Sequence, residues 1–289
     1  MRETAAMSST THAAETAAGE RFGFGDNWRR FLHHLDEHRI VAAEQSLLRM
    51  LGLPSLAGLR FLDAGSGSGL FSLAARRLGA EVHSFDFDPQ SVACTRELRR
   101  RHAAAHGEAD DAGWRVDEAS VLDAAWLEQL GHFDIVYSWG VLHHTGQQWR
   151  ALELVSQRVA PGGRLFVALY NDQGAISRWW TVVKRAYNRS ALARGPLIVA
   201  YTPYFIGLRW LYRQLTGRGP LERGMSLWHD MLDWLGGYPF EVSRPEQVFS
   251  FLAEQGFELR ALTTAGSTGA CNEFVLQRRA GPPAGASTS

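Results

Sequence analysis

At 289 residues, 45% hydrophobic and 21% charged, the chain has the composition of one large globular domain or one domain carrying an insertion. Lys+Arg and Asp+Glu both total 30, so the formal net charge is zero and no whole-chain basic field points to nucleic acid. Cys94 and Cys271 are too few for a disulfide framework or a Cys-based zinc site, and read as plain buried residues of a reducing compartment.

Met1–Glu20 is rich in Ala, Thr and Ser with no apolar run, so residues 1–20 are expected to be a disordered leader, not a signal peptide. Residues 280–289 read the same way. Gly195–Leu208, an uncharged apolar stretch, falls short of the ~20 residues of a spanning helix, so a cytoplasmic protein is expected. Residues 21–279 form the expected domain: a core at 55–171, a helical cap inserted at 172–239, and a closing helix with strands at 240–279.

Taken in chain order, Phe31, Leu32, Leu35, Ile40, Val41, Leu47, Leu48 and Leu51 recur at helical spacing until Gly52 and Pro54. One or two helices therefore precede the sheet. Leu59–Asp63 is a short apolar run stopped by glycine, a buried parallel strand. A helix over Leu70–Leu78, a strand at Glu81–Asp86 and a helix over Pro89–Arg101 follow. Trp114–Val116 and His132–Ser138 are strands, Gln148–Val159 is a helix closed by Pro161-Gly162-Gly163, and Arg164–Tyr170 is a strand. Beyond the insertion come a helix at Pro245–Gln255 and strands at Phe257–Thr263 and Glu273–Gln277. Repeated β-then-α units imply right-handed crossovers. The expected fold is α/β: doubly wound, Rossmann-like, with a mostly parallel seven-stranded sheet.

Asp63-Ala64-Gly65-Ser66-Gly67-Ser68-Gly69 joins a strand to a helix, where an open α/β sheet binds its ligand. Gly65, Gly67 and Gly69 would let backbone approach a ligand closely. A dinucleotide fingerprint would need glycine at position 70, which is Leu70, and Asp63 would repel a diphosphate but attract an ammonium. Asp86 lies 21 residues after Gly65 and can accept from both hydroxyls of a ribose. Phe87 is placed to cover an adenine face, and Asp88 to cap the helix that opens at Pro89.

On FLDAGSGSG (61–69), VHSFD (82–86), EASVLD (118–123), FDIVYSWGVLHH (133–144) and PGGRLFVALY (161–170), the chain resembles the class I S-adenosylmethionine (SAM) dependent methyltransferases, over about residues 55–170. It is similar in flavour to their small-molecule branch of ubiquinone-biosynthesis-like O-methyltransferases. The resemblance implies that Asp63 and Gly65 hold the methionine end and Asp86 the ribose of SAM. It further implies that Ser120 and Val121 line the adenine, and that Ser138, Trp139 and Gly140 pass beneath the sulfonium.

Methyl transfer is an in-line displacement, so the enzyme aligns donor and nucleophile and removes a proton from a hydroxyl acceptor. His143 and His144 follow the fourth strand at its carboxyl edge, where one of them suits a general base; the other reading is two ordinary loop histidines. Tyr170 ends the fifth strand on the same edge and could meet the sulfonium through its ring. His229 and Asp230 divide equally between a site role and cap packing, and for His33 and His34 the ordinary helix reading wins. No group has metal-ligand spacing, so no metal is expected.

Between Gln173 and Leu221 stand eight cations (Arg178, Lys184, Arg185, Arg189, Arg194, Arg209, Arg213, Arg218) and no Asp or Glu. Ile176, Trp179, Trp180, Val183 and Tyr187 fall on one helical face. Three readings follow: a cap packed by its aromatics with solvated cations, a cap selecting an anionic acceptor, or a cap resting on an anionic membrane to admit a lipid-like acceptor. Sequence favours methyl transfer to oxygen (or nitrogen) of a small molecule. It leaves open enzymes that cyclise SAM or transfer its aminocarboxypropyl arm, and a non-catalytic SAM-binding module.

Overall fold

A computed structural model describes residues 11–23, 32, 35–208, 227–266 and 268–280. Helix α1 (His12–Ala17) comes first, followed by α2 (Glu37–Leu51). The alternating core is β1 (Arg60–Ala64), α3 (Leu70–Arg77), β2 (Glu81–Asp86), α4 (Pro89–Ala105), β3 (Trp114–Glu118), α5 (Ala124–Gln129), β4 (Phe133–Trp139), α6 (Gln148–Ser156) and β5 (Val159–Tyr170). The cap holds α7 (Ala175–Arg189), α8 (Ala191–Thr202) with a wider π-type turn at Pro203–Leu208, and α9 (Leu227–Gly236). Helix α10 (Pro245–Glu254), β6 (Phe257–Thr263) and β7 (Cys271–Arg278) close the chain.

The seven strands run in the order β3-β2-β1-β4-β5-β7-β6. Strands β1 to β5 pair in parallel, and β7 runs antiparallel between β5 and β6. This is the mostly parallel, doubly wound sheet expected from sequence. Side chains alternate across it as the two-residue period of a strand requires. Leu62, Val136, Leu165 and Val167 join one core layer, whereas Phe61, Ile135, Tyr137 and Phe166 join the other. Each such fully buried side chain contributes roughly 1.5–3 kcal/mol, so the strand ends at the carboxyl edge sit on a stiff base.

Four expectations need correction. Residues 12–17, inside the stretch expected to be a disordered leader, form a helix capped by Thr11, whose hydroxyl accepts from the Ala14 amide. The helix expected to reach Val159 stops at Ser156, and β5 begins at Val159 with Pro161-Gly162-Gly163 inside it. There the register against β4 shifts between Phe133 and Ile135, so the three residues bend a strand rather than end a helix. In α7 the expected single apolar face divides: Val183 and Tyr187 are buried with Met231 and Leu235 of α9, while Ile176 and Trp179 are exposed. Lys184, counted among solvated cations, is fully buried. His33, His34, Arg209, Arg213 and Arg218 lie outside the described residues, as do the side chains of His229 and Asp230.

Candidate active site

The glycine loop is shaped by its own protein neighbours. Gly65 has φ +89°, and a Cβ there would lie 2.4 Å from a methyl carbon of Val141, in the loop after β4. Gly69 has φ +81°, and its Cβ would lie 2.9 Å from the Cα of Thr95 in α4. Glycine is required at both positions by the left-handed backbone and by close packing of neighbouring elements. Gly67, at φ +54°, donates its amide to Asp86 Oδ2 at 2.9 Å. The amides of Gly65 and Ser66 both donate to the Phe85 carbonyl, at 2.8 and 3.1 Å.

Two carboxylates close beneath this loop. Asp86 also accepts from the Asp88 amide on Oδ1 at 2.9 Å, so each of its oxygens clamps one loop and keeps a lone pair for a further donor. Asp88 caps α4 through the Gln90 amide, as expected. Asp63 ends a one-way chain: the Trp114 indole donates to Ser84, Ser84 to Ser72, and Ser72 to Asp63. Burial pushes the Asp63 carboxyl up to about 7, with the Asp86 charge adding to the shift and the Ser72 hydrogen bond opposing it. Burial likewise raises Asp86 to about 6, against the hydrogen bonds from Asp88 and Gly67.

The remaining donor-side residues are held by the protein in several ways. The Phe87 ring carries the Arg21 guanidinium 5.0 Å from its centroid and the His12 ring edge-on at 5.5 Å. Ser120 accepts from the Leu122 amide in a turn, and Val121 is buried in the core. The buried Ser138 hydroxyl donates to the Ala64 carbonyl and the Trp139 indole to Glu273. The polar groups of both side chains are thereby engaged within the protein.

His143, His144 and Tyr170 come together at the carboxyl edge. The His143 ring lies 3.9 Å from the Tyr170 ring, and His144 lies 5.5 Å from it. Trp234 and Phe240 pack on Tyr170 at 5.7 and 5.2 Å. The buried Lys184 ammonium donates to the Trp234 carbonyl and sits 4.3 and 4.7 Å from the Trp234 and Phe240 ring centroids. Neither ring nitrogen of His143 makes a well-formed hydrogen bond. Burial, then the His144 and Lys184 charges, hold His143 far below its ordinary value, with only the Ala168 carbonyl acting the other way. His144 Nδ1 lies 2.7 Å from the Pro239 carbonyl, which can only accept, so Nδ1 carries the proton and Nε2 is the basic nitrogen. Burial, with Lys184 and Arg21, takes His144 down to about 3. Both rings are therefore neutral at pH 7, in a field that favours a negative oxygen over a charged imidazole.

The methyltransferase-domain family matches residues 35–213, more than half of the chain. The chain belongs to that family. Among curated proteins, ubiquinone biosynthesis O-methyltransferases are similar to it. That of Xanthomonas euvesicatoria pv. vesicatoria is 32% identical over 172 residues, 58% of this chain and 65% of the relative. That of Methylocella silvestris is 32% identical over 163 residues, 53% of this chain and 60% of the relative. The match thus spans somewhat under two thirds of these relatives' length. Of solved structures, magnesium protoporphyrin IX methyltransferase from Synechocystis PCC 6803, with bound SAH, matches at TM-score 0.50 and 15% identity, over 88% of this chain and 93% of that one. PKMT2 from Rickettsia typhi matches at TM-score 0.55 and 12% identity, over 83% of this chain and 52% of that one. At these identities the structures bear on the fold alone.

S-adenosylmethionine, the donor that the sequence resemblance implies, would bring an electrophilic methyl on a sulfonium. The residues present suit it: two buried carboxylates, each raised by burial, beside a loop with left-handed backbone at Gly65, Gly67 and Gly69. Among the described residues no group of three His, Cys, Asp or Glu side chains could hold a metal ion.

Several site residues escaped sequence reading. Segment Gly236–Ser243 straps the acceptor loop: Pro239 binds His144, the Glu241 amide donates to the His143 carbonyl, and the Ser243 amide donates to the Tyr170 carbonyl. The Glu241 carboxylate accepts from the Gln148 amide at 3.0 Å, capping α6 where Gln147 offers no side-chain cap. Gly236-Gly237-Tyr238-Pro239, a run of turn formers at the end of the insertion, was the available signal. Lys184 and Arg21 carried none.

Proposed function

We propose that this enzyme methylates a hydroxyl of a small, amphiphilic acceptor, with His144 Nε2 receiving the hydroxyl proton. The observation that carries this reading is the cluster of neutral His143 and His144 on Tyr170, in the field of Lys184 and Arg21. Such a field lowers the cost of forming an oxyanion. The oxyanion in turn raises the proton affinity of the imidazole beside it. An acidic hydroxyl, as on a phenol or catechol, suits this arrangement. Oxygen as the acceptor atom also agrees with the name of the curated relatives, ubiquinone biosynthesis O-methyltransferase.

The cap supports an acceptor that arrives from an anionic membrane surface. Ile176, Trp179 and Val182 on α7 and Leu192 and Val199 on α8 are 54, 59, 62, 91 and 73% exposed. Arg178, Arg185, Arg189 and Arg194 are exposed among them, with no acid in the same stretch. Basic helices with exposed Trp and aliphatic side chains bind such surfaces. No described helix is long and apolar enough to cross a membrane.

The test is SAM turnover with a panel of catechols, with and without an alkyl tail. S-adenosylhomocysteine should form only when a hydroxylated acceptor is present. Methylthioadenosine released from SAM alone, or transfer confined to amines, would sink this reading. Phosphatidylglycerol vesicles should co-sediment wild-type protein at low salt and lose it when Arg185 and Arg189 are changed to Glu. No sedimentation at low salt would remove the membrane element and leave the hydroxyl chemistry in place.

A further inference from the structure

The segment at residues 11–23 lies where two separate loops of the sheet edge meet. In the strand order β2-β1-β4, Phe87 follows β2, the glycine loop follows β1, and His144 lies beyond β4. Arg21 touches the two outer loops at once: its guanidinium covers Phe87 at 5.0 Å, and Nη1 donates to the His144 carbonyl at 2.9 Å. Glu15 of α1 holds the same guanidinium through Nε at 2.6 Å. His12 stands edge-on to Phe87 and 3.6 Å from Asp88, and the Phe22 amide donates to the Tyr238 carbonyl of the strap at 3.0 Å. A segment outside the sheet thus reaches the donor-side loop, the acceptor-side loop and the cap strap together.

We propose that Arg21 is a positioning residue of the transfer reaction, which ties the Phe87 loop to the His144 loop across the mouth of the donor groove. A ligand in the crevice at the carboxyl end of β1 has these two loops as its side walls. A guanidinium that hydrogen-bonds a carbonyl on one wall and stacks on a ring of the other fixes the gap between them. On this placement, donor entry and product release would require that bridge to open. Binding at the groove and the placement of His144 are therefore one coupled event. Local opening of a short N-terminal segment is low in free energy compared with unfolding of the sheet, so the bridge can cycle at each turnover. This inference rests on the reading that the donor occupies the 65–69 loop.

The experiment uses the full chain with S-adenosylhomocysteine as probe, measured by calorimetry and stopped-flow fluorescence. Arg21→Ala should weaken binding about 10-fold, chiefly through faster dissociation, with the melting temperature of the ligand-free protein nearly unchanged. Arg21→Lys should recover only part of the loss, because an ammonium cannot both stack flat and reach the carbonyl. Glu15→Gln, which removes only the charge that orients the guanidinium, should give a smaller loss of the same kind and serves if Arg21→Ala fails to fold. Trypsin should cut at Arg21 more slowly once the probe is bound. Wild-type protein that does not bind the probe would defeat the donor-site reading itself. Wild-type binding that Arg21→Ala and Glu15→Gln leave within twofold, or equal slowing of association and dissociation, would overturn the role of Arg21 alone.

Discussion

The two halves of the active site are built on opposite electrostatic plans. The donor half, at the ends of β1 and β2, gathers Asp63 and Asp86 beneath left-handed glycines, and burial leaves both carboxyls reluctant to ionise. The acceptor half gathers two histidines with Lys184 and Arg21 nearby, and burial leaves both imidazoles reluctant to protonate. On the proposed function, each half would meet a partner of the opposite sign: a cationic donor on one side, an oxygen acquiring negative charge on the other. The halves meet where Val141 packs against Gly65 and where Arg21 reaches the His144 carbonyl. Acceleration follows when both partners are held in line.

That contrast can be broken most severely at Asp86. Replacing it with Ala removes two backbone clamps and the proposed ribose acceptor together, and should weaken S-adenosylhomocysteine binding by roughly 3–4 kcal/mol in calorimetry. Next comes His144→Gln, which should lower kcat about 100-fold while donor affinity stays within twofold. Equal losses in both quantities would mean that the halves are not separable. Gly65→Ala should destabilise the fold by about 2 kcal/mol in denaturant titration, through the Val141 overlap and the strained backbone. Adding Val141→Ala should restore part of that loss, since it removes the steric element alone.

The smallest expected effect is the dependence on pH. A cation binds the ionised carboxylates, so donor affinity should rise about 10-fold from pH 6 to pH 8 and level off above the Asp63 value of about 7. The stability of the ligand-free protein should move in the opposite direction. A carboxyl raised from 3.8 to about 7 contributes stability that is complete below its unfolded value and is lost as pH rises through about 7. Donor affinity that is flat across this window would show that Asp63 and Asp86 stay ionised throughout.

The donor half was far more legible in sequence than the acceptor half. Asp63, the three glycines and Asp86 lie within 24 residues, inside one β-α-β unit, so local spacing carried their meaning. Even there the reason for the glycines was only half visible. A ligand approach explains φ-permissive backbone, but Gly65 is also required by Val141, a residue 76 positions away. The histidine pair could be placed at the correct edge from strand order. Its neutrality could not, because it depends on burial and on Lys184 and Arg21, drawn from distant segments, acting against the Pro239 carbonyl.

What the amino-acid sequence determined by itself is the alternation that builds the sheet, the site of the glycine loop at the end of β1, and the acid at the end of β2. These follow from short-range periodicity and turn chemistry, which act within a few residues. Tertiary structure alone decided that the N-terminal segment reaches Phe87, that Lys184 is buried against Trp234 and Phe240, and that Glu241 caps α6. Burial and charge fields belong to residues brought together across the chain, and no local pattern encodes which cation will end up inside.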